Sequence, residues 1–267
     1  MRSLLLASVS IAALFIASEV NAADLAVKAR PMAVPAPVYS WTGCYVGGSM
    51  GSDWAKSSWT YRNINPYSAL SAAGPIVATD NRFDDMLSWI AGGQVGCNYE
   101  FQGHWVVGIE AAGFASDLNQ TIQNSVQIFS PLSTQTVTTN IKAIYTVTGR
   151  LGYAFYPGWL GYAKGGFASA RIETSGNTNP TLPGLILDWN TRQWHDGYVV
   201  GVGSEYQLSR NITLGLEYDY IGLGSKDHVG AVSGGAITAA NQIVHGVNGN
   251  NIQSVMVRVN YLFGMGR

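Results

Sequence analysis

The stretch Ile212-Thr213-Leu214-Gly215-Leu216-Glu217-Tyr218-Asp219-Tyr220-Ile221 decides the fold. Ile212, Leu214, Leu216, Tyr218 and Tyr220 share one parity, and Thr213, Gly215, Glu217, Asp219 and Ile221 share the other. Side chains alternate across a strand, so one face here is large and apolar while the other is mostly small, polar or charged. A helix would repeat apolar residues at three and four, and that spacing is weak throughout the chain after Trp41. Two more segments repeat the strand pattern. Val255, Val257, Val259, Tyr261 and Phe263 alternate with Met256, Arg258, Asn260 and Leu262, and Tyr145, Val147, Leu151 and Tyr153 alternate with Thr146, Thr148, Arg150 and Gly152.

Extended along the chain, this reading gives eight strands, at about 41–51, 87–100, 104–116, 141–155, 159–172, 194–208, 211–221 and 252–263. Four long links rich in Asn, Ser, Thr, Gly and Pro (52–86, 117–140, 173–193 and 222–251) alternate with three links of two or three residues (101–103, 156–158 and 209–210). An even number of strands with long and short links in turn is the pattern of a transmembrane β-barrel, whose short turns face the periplasm. A sheet in lipid cannot leave an edge unpaired, so it must close on itself. The expected fold is therefore all-β: an eight-stranded antiparallel barrel with four long outer loops and three short periplasmic turns.

Composition points the same way. Only 12% of the 267 residues are charged, where globular chains carry about 25%. The parity that holds Glu110, Arg150, Lys164, Glu205, Glu217, Asp219 and Arg258 has one or two charges per strand, too few for a soluble surface. We place it inside, where an eight-stranded barrel is just wide enough to be filled by side chains and buried charges must pair. The opposite parity carries Tyr99, Trp105, Tyr153, Phe155, Trp159, Tyr206, Tyr261 and Phe263 at the periplasmic strand ends, as an aromatic girdle at the headgroup boundary requires. A lipocalin-like soluble barrel would put the large residues inside instead.

Met1-Arg2, the apolar stretch Leu4 to Ala17 and Val20-Asn21-Ala22 read as a signal peptide, residues 1–22, cleaved after Ala22. The apolar stretch is too short for a helix to span the roughly 30 Å of a bilayer core. Residues 23–40, with Pro31, Pro35 and Pro37, read as an extended leader, residues 41–263 as the barrel, and residues 264–267 as a short C-terminal extension. The net charge of −1 and the absence of a basic run exclude a nucleic-acid partner.

Seven stretches carry a resemblance: Trp41-Thr42-Gly43-Cys44-Tyr45-Val46-Gly47-Gly48, Gly92-Gly93-Gln94-Val95-Gly96-Cys97-Asn98-Tyr99, Gly149-Arg150-Leu151-Gly152-Tyr153, Leu160-Gly161-Tyr162-Ala163-Lys164-Gly165-Gly166, Gly201-Val202-Gly203-Ser204-Glu205-Tyr206, Leu216-Glu217-Tyr218-Asp219-Tyr220 and Val257-Arg258-Val259-Asn260-Tyr261-Leu262-Phe263. In this order they resemble the small outer-membrane immunogenic, porin-family barrels of Gram-negative alphaproteobacteria, built on an eight-stranded domain like that of outer membrane protein A. The resemblance implies residence in the cell outer membrane and surface exposure, and it implies no reaction. Contact with outer-membrane lipid and lipopolysaccharide, and with the barrel-assembly machinery during insertion, follows from it; what the loops bind does not. Two departures stand out: Gly264-Met265-Gly266-Arg267 follow the Phe263 that usually ends such chains, and Ala112 stands where a second acid after Glu110 is usual.

Cys44 and Cys97 lie on the outward parity of strands one and two, where a hairpin would set them opposite. A disulfide and a pair of small buried hydrophobes both fit. Gly47-Gly48-Ser49-Met50-Gly51 has the hydrolase spacing G-x-S-x-G but lacks the following helix that motif needs. His195 beside Asp196 reads as a solvated loop-exit pair, and Asp227-His228 as surface-loop chemistry. The four histidines lack ligand spacing, so no metal site, cofactor or catalytic residue is expected. The expected role is a structural surface protein with at most narrow passage for ions or small solutes. A diffusion porin, a lipid-modifying enzyme and a soluble ligand carrier remain the alternatives.

Overall fold

A computed structural model describes residues 39–65, 81–125, 134–179, 187–233 and 242–263. The expected signal peptide, all of the leader except Tyr39 and Ser40, and the extension 264–267 lie outside them. The strands are β1 (Gly43–Asn65), β2 (Asn81–Phe101), β3 (Trp105–Ser125), β4 (Thr134–Tyr156), β5 (Trp159–Asn179), β6 (Leu187–Ser209), β7 (Ile212–Leu223), β8 (Lys226–Ser233) and β9 (Gln242–Phe263). Each pairs antiparallel with its neighbours, and β9 returns to β1, from Cys44 opposite Phe263 to Asn65 opposite Gln242. β7 and β8 both lie between β6 and β9. They are two lengths of one barrel strand interrupted at Gly224-Ser225, so the ring has eight strands.

The short turns fall near their expected places, at Gln102–His104, Pro157–Gly158 and Arg210–Asn211. The long links do not. Most described residues of 52–86, 117–140, 173–193 and 222–251 are strand, and seven of the strands run 21–23 residues. A membrane span needs only about 9–11 residues, so the outer half of the wall stands clear of the lipid.

There the inside and outside exchange character. In the lower half Val147, Leu151, Val200, Val202, Leu214, Leu216, Val257 and Val259 face outward and exposed. In the outer half Leu118, Val137, Ile141, Ile172 and Trp189 are buried inside, while Asn119, Thr121, Asp188 and Asn190 are exposed outside. β-Bulges between Ala55 and Ser57, Ala115 and Leu118, and Ile141 and Ala143 accompany the change. A bulge adds a residue to one strand and so disturbs the period of two.

All eight girdle residues face outward at the lower rim. Tyr99, Trp105, Tyr153, Phe155, Trp159, Tyr261 and Phe263 are exposed, and Tyr206 is half-buried because its ring lies 4.9 Å from that of Trp159. Trp89, Tyr145 and Tyr198 mark the upper limit of the apolar band, with Trp194 5.6 Å from Tyr145.

Cys44 stands opposite Cys97 in the β1–β2 register, and the two are joined by a disulfide. The link closes a loop with a sequence separation of 53, and such loops stabilise a native state by about 2–4 kcal/mol through the unfolded chain. Unfolded, unreduced protein should therefore show no reactive thiol, and Cys44→Ala/Cys97→Ala should refold with a urea midpoint lowered to match. Two thiols labelled without reductant would contradict the bridge.

Candidate functional site

The lower half of the barrel encloses the seven expected charges. Glu110 comes from β3, Arg150 from β4, Lys164 from β5, Glu205 from β6, Glu217 and Asp219 from β7, and Arg258 from β9. Their side chains are at most 3% exposed. They are brought together because each occupies the inner parity at a similar height above the short turns. Gly108 faces Arg150, Gly215 faces Arg258, and Gly201 faces both Lys164 and Asp219, which leaves room for long side chains to cross the lumen.

Every base serves two or more acids. Arg150 Nη2 donates to Glu205 Oε1 at 2.7 Å, with its other nitrogen 3.5 Å from Glu110. Lys164 Nζ lies 2.8 Å from both Glu217 Oε1 and Asp219 Oδ2 and 3.9 Å from Glu110. Arg258 spans Glu217 and Glu110 with its two terminal nitrogens. Charges withdrawn from water remain tolerable because partners satisfy them on several sides.

Two tyrosines not expected in the network complete it. Arg150 Nη1 donates to Tyr45 Oη at 2.7 Å, and Tyr45 donates onward to Glu110 Oε2 at 2.6 Å. Tyr162 donates to Glu217 Oε2 at 2.7 Å, and its ring lies 3.8 Å beneath the Arg150 guanidinium, close enough for a cation–π contact. The signal was present in the sequence: Tyr45 is on the parity opposite Cys44 and Val46, and Tyr162 shares the parity of Lys164. A chain of neutral groups runs from Ser49 Oγ to Gln94 Oε1 (2.8 Å), from Gln94 Nε2 to Asn260 Oδ1 (2.8 Å), and from Asn260 Nδ2 to Glu205 Oε2 (3.4 Å).

Apolar layers lie on both sides of this charged layer. Below it Trp41, Val106, Leu160 and Tyr162 pack together, and the Trp41 backbone N–H donates to Glu100 Oε2 at 3.0 Å. Above it Ala112, Phe114, Ile144, Ala168, Val199, Ile221 and Met256 begin a larger cluster that continues through Leu118, Ile141 and Ile172. Ala112, the departure from the usual acid, is where the lining turns from charged to apolar.

The remaining candidates fall elsewhere. Ser49 lies within β1, with its hydroxyl engaged by Gln94. His104 sits exposed in the turn after β2, 3.8 Å from Glu100. The solvated reading of His195 and the surface-loop reading of His228 are corrected: both rings are fully buried in the outer half and lie 2.7 Å apart through their Nε2 atoms. Tertiary pairing of β6 with β8 overrode what local composition suggested. Among the described residues no group of three or more His, Cys, Asp or Glu is placed to hold a metal ion.

A family model described as the outer membrane protein beta-barrel domain matches residues 10–263. The 31 kDa outer-membrane immunogenic protein of Brucella melitensis biotype 1 is 29% identical over 235 residues, which is 86% of this chain and 90% of that protein. The 22 kDa outer membrane protein of Rhizobium leguminosarum bv. viciae is 29% identical over 194 residues, covering 72% and 69%. Among solved structures, OprG from Pseudomonas aeruginosa matches with 13% identity and a TM-score of 0.40, covering 84% of this chain and 98% of that one. The outer membrane protease OmpT from Escherichia coli matches with 12% identity and a TM-score of 0.45, covering 85% and 98%.

Proposed function

This chain belongs to the outer membrane protein beta-barrel domain family and resides in the outer membrane, and from that premise we propose that it is a sealed structural barrel whose work is done by what it presents at the cell surface. The observation that carries the reading is the layered interior: a buried charge network in which every charged group has an opposite partner, held between two apolar clusters. An ion following the axis would meet side chains at every level and would have to strip its hydration shell against apolar atoms above and below the network. In this reading the barrel is not an enzyme. Ser49 and Gln94 serve the packing of the lumen, and the outward band and aromatic rims serve lipid and lipopolysaccharide contact.

Planar-bilayer recording tests it. Refolded protein, verified as the faster-migrating unheated form on a detergent gel, should give no discrete conductance steps in 1 M KCl. Reproducible steps would mean that the lumen is hydrated and that the diffusion-pore reading replaces this one.

A further inference from the structure

Outside the charge network, the described interior brings two titratable rings into contact. His195 on β6 and His228 on β8 sit in the outer half of the wall, His195 three residues above Tyr198, and both are fully buried. Their Nε2 atoms are 2.7 Å apart, His195 Nδ1 is 3.0 Å from Gly224 O, and His228 Nδ1 is 2.9 Å from Thr191 Oγ1.

One carbonyl fixes the tautomers of the neutral pair. Gly224 O can only accept, so His195 carries its hydrogen on Nδ1 and its Nε2 accepts. His228 Nε2 is then the donor, and His228 Nδ1 accepts from the Thr191 hydroxyl. A single added proton is tolerated. It goes to His228 Nδ1, which then donates to Thr191 Oγ1, while the hydroxyl hydrogen turns to Thr174 O, 3.4 Å away. A second added proton has no such outlet, because it would set two N–H groups against each other across 2.7 Å.

We infer that the His195–His228 contact is an acid-released clip: it ties β8 to β6 while the two rings hold at most one extra proton between them, and it lets go when both are protonated. β8 is suited to release. It is the short outer length of an interrupted strand, and its start is otherwise held to β6 by the bond from Gly224 N to Asp196 O, by Gln193 donating to Asp227 O, and by Lys226, which reaches Trp194 O and Asp196.

The neighbouring titratable groups can be named. On β6 and β8 they are Asp196, Lys226 and Asp227, and on β9 His245 stands opposite His228 in the strand register. The β5 positions facing the pair are Ala170, Ile172 and Thr174, and across the lumen Asp53 of β1 accepts from Ser116. Lys226 and Ser169 hold the Asp196 carboxyl below the usual carboxylate range, so that pair stays charged under mild acid.

Burial pushes both histidines down, His228 to about 4, whereas released histidines take up a proton near 6.5. The released form therefore binds more protons between those values. The clip holds fully above about pH 6.5 and weakens as pH falls towards 4, by roughly tenfold per pH unit for each proton taken up.

Hydrogen exchange read by mass spectrometry on the refolded barrel tests this. After correction for intrinsic rates, amides of 226–231 should lose protection by about 30-fold or more between pH 7.5 and pH 5, while those of 145–152 on β4 hold theirs. His195→Gln and His228→Gln should each reduce that pH dependence, and Asp196→Asn should leave it in place. Unchanged protection of 226–231 in the wild type would overturn the clip, and so would a loss that persists undiminished in both glutamine variants. The wild-type comparison decides by itself if a variant does not refold. It also stands apart from the sealed-barrel reading, which conductance at neutral pH addresses.

Discussion

Replacing Arg258 with methionine should cost the barrel about 3–5 kcal/mol, the range for removing one partner of a buried ion pair. Arg258 bridges Glu110 and Glu217 with separate terminal nitrogens, whereas Lys164, the other base near both, stays 3.9 Å from Glu110. Methionine fills similar volume but leaves both carboxylates short of a cation in a layer closed to water. Equilibrium urea titration of the folded band in lipid vesicles reads the loss as a lowered midpoint. Adding Glu217→Gln should recover a measurable part of it, because one of the stranded charges then disappears. A single variant of wild-type stability would show that the network contributes nothing to holding the wall together.

Gly203→Val should be nearly as damaging, through shape instead of charge. The Tyr162 ring lies against Gly203, and a Cβ built there would come 2.5 Å from both Cζ and Oη of that tyrosine. Overpacking a dense core costs typically about 1–3 kcal/mol. Here the displaced ring also carries the hydroxyl that serves Glu217 and the face that covers Arg150, so a loss at or above the top of that range is expected. Gly165→Val on the neighbouring strand is the matched control. A Cβ at Gly165 meets nothing nearer than 3.8 Å and the position faces outward, so its urea midpoint should stay within error of the wild type. Equal effects of the two substitutions would remove the packing argument.

The lower half of this molecule was legible because its rule is simple. Charge is scarce, one face must meet lipid, and so Arg150, Glu217 and Arg258 can only point inward. The outer half follows another rule. Past Trp89, Tyr145 and Tyr198 the wall meets water, so Leu118, Ile141 and Ile172 turn inward while Asn119, Thr121 and Asn190 turn outward. With bulges disturbing the period nearby, the reversed alternation reads as a loop. Tyr45 and Tyr162 were hidden for a related reason: a tyrosine on the inner parity looks like filler until the carboxylate it serves is known. The two histidines, 33 positions apart in the chain, met only through the pairing of β6 with β8.

The position of Arg258 on the closing strand also bears on the order in which the cylinder is made. Until β9 docks against β1 and β7, the half-built lumen holds four acids against two bases, an excess of negative charge that no earlier strand can neutralise. The cation that cuts the excess from two negative charges to one arrives last and bridges two strands already in place. Completion of the wall and the halving of its interior charge are thus a single event, and a cylinder missing its last staves would carry an electrostatic penalty besides its unpaired edges.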